Sequence, residues 1–200
     1  MEEALKYFLM AAHGGDVDAM VEAANFYQRI GSYKKIHPDL EKAAYWYEMA
    51  AGLGSSFAAC EMGFIYRDGI GRPVDKQKAF EYFLFAASDE ILGVYIPLAD
   101  CLINGEGVEQ DHVEALDVLH MFWQCLDKRY PDDTSEWINQ YRGEMHYRLG
   151  LLHDIGVGVN RSAEKAYRHY ALAGEFGHTE SAAEAKKFRK GLFGWKKVEA

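Results

Sequence analysis

Apolar and small residues recur along the chain at i, i+3, i+4 and i+7, the stripe of an amphipathic helix. One phrase returns five times: ALKYFLMAA from Ala4, AAYWYEMAA from Ala43, AFEYFLFAA from Ala79, ALDVLHMFW from Ala115 and AYRHYALAG from Ala166. A second phrase fills the gaps, as AMVEAANFY from Ala19, AACEMGFIY from Ala58, GVYIPLADCL from Gly93 and MHYRLGLLH from Met145. Two alternating helical phrases predict a helix pair as the repeating unit. Each second phrase carries one small residue, Ala24, Gly63, Ala99 or Gly150, followed three positions on by Tyr27, Tyr66, Leu102 or His153. Glycine inside a helix costs about 1 kcal/mol against alanine, so Gly63 and Gly150 predict close helix contact beside a large ring such as Tyr47 or Phe83.

The connectors are punctuated in the same register. Gly69 and Gly71 recur as Gly105 and Gly107 and as Gly156 and Gly158. Glycines at this spacing can cradle a phosphate, but no GK[ST] follows, and three copies point instead to a mechanical role in ending one helix and turning the chain back. Four residues before each signature alanine stand Asp39, Asp75, Asp111 and Ser162, residue types that cap the orphan amides of the next helix; Glu114 places a capping box at Asp111. The connector over residues 30–39 is longer and lacks the glycine pair, and Pro97 is expected in a first helical turn. An insertion between Cys125 and Met145 reads as a loop and a helix start at Thr134 or Ser135.

The units are a half-repeat over 1–15, full units over 16–54, 55–90, 91–126 and 135–177, and a terminal capping helix with a basic tail over 178–200. The first opens on the second helix of a pair, which leaves room for an upstream half-repeat. Lys186 and Arg189 occupy packing positions of the last half-repeat, giving it the polar outer face of a terminal cap.

The 200 residues carry a net charge of -9, the wrong sign for sheathing nucleic acid. Lys186, Lys187, Arg189, Lys190, Lys196 and Lys197 end this acidic body; with Phe188, Phe193 and Trp195 they read as a flexible end packing one aromatic on the last repeat. Three cysteines, Cys60, Cys101 and Cys125, form no CxxC and cannot close completely into disulfides. Acidic residues stand where a signal peptide needs basic ones, and no apolar run reaches the length of a membrane span. A cytoplasmic protein without membrane insertion is expected.

Chemistry finds little purchase. There is no HExxH and no G-x-S-x-G, and His120 and Cys125 point apart on one helix. His146 and His153 are seven apart and share a helix face, and His169 falls on the next helical phrase, the basis of one alternative reading, a metal-dependent hydrolase; yet His153 only fills the Tyr position of its repeat. No catalytic residue, metal or cofactor is expected.

One multi-position pattern runs through these units: Met62-Gly63, Tyr66, Gly69, Gly71, Asp75, Lys78-Ala79, Tyr82-Phe83 and Ala86-Ala87 in one, Lys42-Ala43, Trp46-Tyr47, Ala50-Ala51 and Gly54 in another, and Leu149-Gly150, Gly156, Lys165-Ala166, Tyr170 and Gly177 in the last. It resembles the Sel-one-like repeat, a relative of the tetratricopeptide repeat. The resemblance implies an all-α, right-handed superhelical solenoid of antiparallel helix pairs, about ten helices in all, and a bacterial source. It also implies that the first helix of each pair lines a concave face. Carried over by position, that face presents Asn25, Phe64, Asp100 and Leu151 after the small residues, and Gln28, Arg67, Ile103 and Asp154 three positions later. The mixture suits an extended protein segment, so the expected role is a non-catalytic interaction scaffold, monomeric, with a protein or peptide partner. An alternative is a cognate inhibitor of a toxic effector, its acidic body meeting a basic toxin.

Overall fold

The structure, a computed structural model, describes residues 2–29, 38–156, 160–191 and 194–198. Most of the first connector, Gly158, His37 and Phe193 lie outside the described residues. Contacts divide the chain into two compact units, one of Met1–Pro97 with Glu106–Glu109, the other of Leu98–Gly105 with Gln110–Ala200.

The first unit contains α1 (Glu2–His13), α2 (Val17–Arg29), α3 (Leu40–Gly52), α4 (Ser56–Asp68), α5 (Lys76–Ala87) and a 3-10 turn (Leu92–Val94). Consecutive helices pack on one another, so the sequence order is the packing order. The second unit contains most of α6 (Tyr95–Asn104), then α7 (His112–Arg129), α8 (Glu136–Ile155), α9 (Ala163–Glu175), α10 (Thr179–Ala185) and an antiparallel hairpin of β1 (Phe188–Gly191) and β2 (Gly194–Lys197). The all-α repeat fold expected from the residues is the one observed, with ten α-helices among the described residues. Pro97 falls in the first turn of α6, and none of the described helices is long and apolar enough to cross a membrane.

Local chemistry sets the helix ends. Asp39, Asp75, Asp111 and Ser162 each accept a backbone N–H of the first turn of α3, α5, α7 and α9, in order from Lys42, Lys78, Val113 with Glu114, and Lys165. The backbone N–H of each cap is also used in a repeated way. It donates to the carbonyl of Tyr27, Tyr66, Leu102 or His153, at 2.9 to 3.1 Å, so the residue three after each small residue ties the end of one helix to the start of the next. At Asp111 the N–H therefore goes to Leu102, where a capping box would send it to Glu114.

The glycine pair divides its work. Gly69 ends α4 at φ 73°, with its N–H on Ile65 O, and Ile70 N–H donates to the same carbonyl. Gly71 does more than turn the chain. A Cβ there would lie 2.2 Å from Leu40 O, and one on Gly107 would lie 2.0 Å from Lys76 O, so each second glycine lets its loop rest on the first turn of the preceding α3 or α5. Two of the amides a phosphate would need, those of Gly69 and Ile70, are already taken by Ile65 O.

Inside each pair, large meets small. Tyr47, Phe83, Leu119 and Tyr170, all four residues after the signature alanines, are fully buried. A Cβ on Gly63 would come within 2.4 Å of the Phe83 ring, and one on Gly150 within 2.7 Å of the Tyr170 ring, which is why glycine stands there.

Two regions depart from a simple repeat. The insertion lengthens α7 to 18 and α8 to 20 residues; buried Arg142 fastens the intervening loop by donating to Asp133 O at 2.6 Å and Tyr130 O at 3.0 Å. At the end, α10 stops after seven residues and the chain becomes a hairpin where a flexible basic tail is expected. Phe188 is buried beside Ala166 and Tyr170, and Trp195 stacks on Tyr167 at 4.1 Å, so two aromatics seat the hairpin. The register sets Phe188, Lys190, Trp195 and Lys197 on one face, leaving Arg189 opposite Lys196 on the other.

Candidate functional site

In the first unit, α2 and α4 carry four of the expected partner-binding residues. Asn25 and Gln28 are half-buried, and the Tyr47 hydroxyl lies 2.8 Å from both Asn25 Oδ1 and Gln28 Oε1. These half-buried amides therefore tie α2 to α3. Phe64 is half-buried, edge-on to Phe83 at 5.1 Å, and exposed Arg67 lies over its ring at 4.8 Å while pairing with Asp68 through two contacts of 2.7 and 2.8 Å. The result is a half-buried ring under an exposed guanidinium, both on α4.

In the second unit the four expected residues separate. Half-buried Asp100 receives Arg148 Nε and Nη2, both at 2.6 Å, a bidentate pair joining α6 to α8. Leu151 is half-buried. Ile103 is not an outward position: it is 4% exposed, and its carbonyl accepts from Gln110 and His112 at the start of α7. Asp154 is likewise 9% exposed, because the hairpin covers it; Lys197 donates to its carboxylate and Arg161 Nε to its carbonyl.

Sequence reasoning did not find the groove beside Arg148. It has a volume of about 690 Å³ and runs between the first half of α8 and the α9–α10 turn. Glu136, Gln140, Glu144 and Glu180 stand around it, and Tyr147, Phe176 and His178 supply its apolar surface. Arg148 donates to Glu144 Oε2 at 2.5 Å as well as to Asp100, while Tyr147 stacks on His178 at 4.4 Å. Burial, then the carboxylates of Glu180 and Glu184, push the Tyr147 phenol above its ordinary value. Only the i, i+4 spacing of Glu144 and Arg148 announced any of this in the sequence.

The three histidines of the hydrolase reading do come together. His146 Nδ1 lies 3.1 Å from His169 Nδ1, and the His153 and His169 rings stack at 5.7 Å and 11°. Stacked imidazoles turn faces, not nitrogens, toward each other, and no three His, Cys, Asp or Glu among the described residues are placed to hold a metal ion. Burial lowers His146 to about 4; burial, then the neighbouring His146, His153, Lys165 and His120, lowers His169 to about 4. His153 Nδ1 is buried without a hydrogen-bond partner among the described residues. Cys60 is buried and its thiol is pushed up to about 12, which removes it as a nucleophile near neutral pH.

The fold and these surfaces define a class, the α-solenoid built of repeated helix pairs. The Sel1 repeat model matches residues 1–16, 17–55, 56–89, 98–117 and 143–178, and the chain belongs to the Sel1 repeat family. It is 26% identical over 200 aligned residues to an uncharacterized protein of Neisseria meningitidis serogroup B, covering 88% of this chain and 40% of that protein. It is 29% identical over 139 residues to chitin synthase regulatory factor 2 of Schizosaccharomyces pombe, covering 68% of this chain and 26% of that one. The chain thus spans less than half the length of either relative. Among solved structures, a Sel1 repeat protein from Oxalobacter formigenes superposes with a TM-score of 0.64 at 23% identity, over 91% of this chain and 67% of that one. A protective antigen of uropathogenic Escherichia coli gives 0.56 at 19%, over 90% and 42%. Both likenesses concern the fold.

Proposed function

We propose that this chain is a protein-interaction module that binds a protein or peptide partner on the face made by the first helices of its pairs, and that it performs no catalysis itself. Sel1 repeats serve generally as interaction scaffolds, which supports the class of role. The observation that carries the reading is the Phe64–Arg67 pair on α4: a half-buried aromatic ring under an exposed guanidinium, the side-chain types that anchor interfaces, on a helix that Gly63 lets pack closely on Phe83. Asn25 and Gln28 on α2, and Asp100 and Leu151 in the second unit, add polar and aliphatic positions of the same kind. Burial of Cys60, Cys101 and Cys125 is compatible with a reducing compartment, and the proposed setting is cytoplasmic.

The test is affinity purification from the source cell with mass spectrometry, comparing the natural chain with the triple variant Phe64→Ala, Arg67→Glu, Asp100→Asn. Circular dichroism of both chains establishes that the variant is folded. Loss of the specifically enriched partners from the folded variant is expected; undiminished recovery overturns the assignment of this face.

A further inference from the structure

We propose that the groove between α8 and the α9–α10 turn receives a cationic side chain, arginine or lysine, presented by an extended segment of a partner protein. The proposal rests on the interaction-module reading and adds the chemistry of the segment. The volume, about 690 Å³, is that of a site taking a few side chains rather than a surface dimple.

Its charge is one-sided. Its basic groups are already engaged: Arg148, 14% of its side chain exposed, is bidentate to Asp100 and bound to Glu144, Arg142 lies over the Phe176 ring while donating to the carbonyls of Asp133 and Tyr130, and His178 Nε2 stands 3.8 Å from Glu144. Two carboxylates thus share one guanidinium. Glu136 and Glu180 stand exposed on opposite lips and make no ion pair among the described residues. An anionic or neutral segment seated here would desolvate these carboxylates with nothing in return, whereas a cation compensates them. The same sign turns nucleic acid away.

The floor favours a cation again. Tyr147 stacks on His178 at 4.4 Å and 20° and Phe176 lies alongside, so an entering guanidinium meets an aromatic platform flanked by carboxylates, which suits its planar, weakly hydrated group. Burial, and after it the carboxylates of Glu180 and Glu184, holds the Tyr147 phenol raised.

The probe is a fluorescent Gly/Ser nonapeptide carrying two arginines, set against the same peptide with neutral, isosteric citrulline, both read by fluorescence anisotropy. The arginine peptide is expected to bind about tenfold tighter at low salt, with the gap narrowing as ionic strength rises. The double variant Glu136→Gln, Glu180→Gln should remove most of that gap, while Asp117→Asn with Asp127→Asn, the same charge change on α7, should alter affinity by less than about twofold. Equal binding of the two peptides, equal losses in the two double variants, or no binding of the arginine peptide overturns the proposal. The double variant Phe64→Ala, Arg67→Glu, which keeps the Arg148–Asp100 pair of the groove wall, tests the wider reading without touching the groove, so the two fail separately.

Discussion

At the scale of the residue, the repeat is enforced by glycines that do different things. Gly63 has ordinary helical torsions and is needed because the Phe83 ring occupies the place of a side chain; Gly52, in α3, has nothing within 4 Å of where a Cβ would be. Gly63→Ala is therefore expected to lower stability by about 1–3 kcal/mol, as overpacking does, and Gly52→Ala to raise it by up to about 1 kcal/mol through helix propensity alone. Thermal melts of the two variants check the contrast, and a drop for both would mean that packing at Gly63 is not the cause. Gly71 combines a φ of 70° with a backbone neighbour that cannot swing aside, so Gly71→Ala should lose at least about 1–3 kcal/mol from backbone strain before the clash with Leu40 O is counted.

At the scale of the element, what the sequence made legible was whatever a helix decides within a few residues of itself. The caps Asp39, Asp75, Asp111 and Ser162, the left-handed stop at Gly69 and the small residues opposite large rings were all readable because spacing along the chain is spacing on a helix face. The groove was not readable: Arg148 meets Asp100 across 48 residues, and its floor needs His178 returned by the α9–α10 turn. The burial of Asp154 was hidden for the same reason, since it depends on a hairpin that forms only because Phe188 finds a seat beside Ala166 and Tyr170. That hairpin gives a further prediction. Lys197→Met leaves the Asp154 carboxylate, 10% exposed, without its nearest cation, whereas Lys197→Met with Asp154→Asn removes the charge as well. The single variant should cost about 1–2 kcal/mol and the double variant less, because a buried carboxylate left with only Arg161 Nη2 at 3.9 Å is worse than a neutral amide. Urea melts order the two, with hydrogen exchange over residues 188–191 and 194–197 reporting whether the hairpin has lifted.

At the scale of the whole molecule, repeat architecture makes stability a sum of near-neighbour terms, so a local insult should stay local. The buried histidines provide one. His146 and His169 are held by burial at about 4 against an ordinary 6.5, and His153 is lowered in the same direction; all three belong to the second unit. In the folded chain His146 and His169 stay neutral well below pH 6, while the unfolded chain takes up their protons as soon as pH falls through about 6.5. Their contribution is therefore intact above pH 6.5 and is lost progressively as pH drops toward 4. Exposed Lys165 and His120 face the cluster and add like charge that lowers His169 further. Hydrogen exchange at pH 7 and pH 5 should show α8 and α9 losing protection while α3, α4 and α5 hold theirs. His146→Phe, which keeps a ring against Phe176 and Trp123, removes one titrating group and should flatten the acid slope of unit two without changing that of unit one. A slope that survives this variant unchanged would assign the acid sensitivity to carboxylates elsewhere, and uniform loss of protection across both units would contradict the near-neighbour account of the repeat itself.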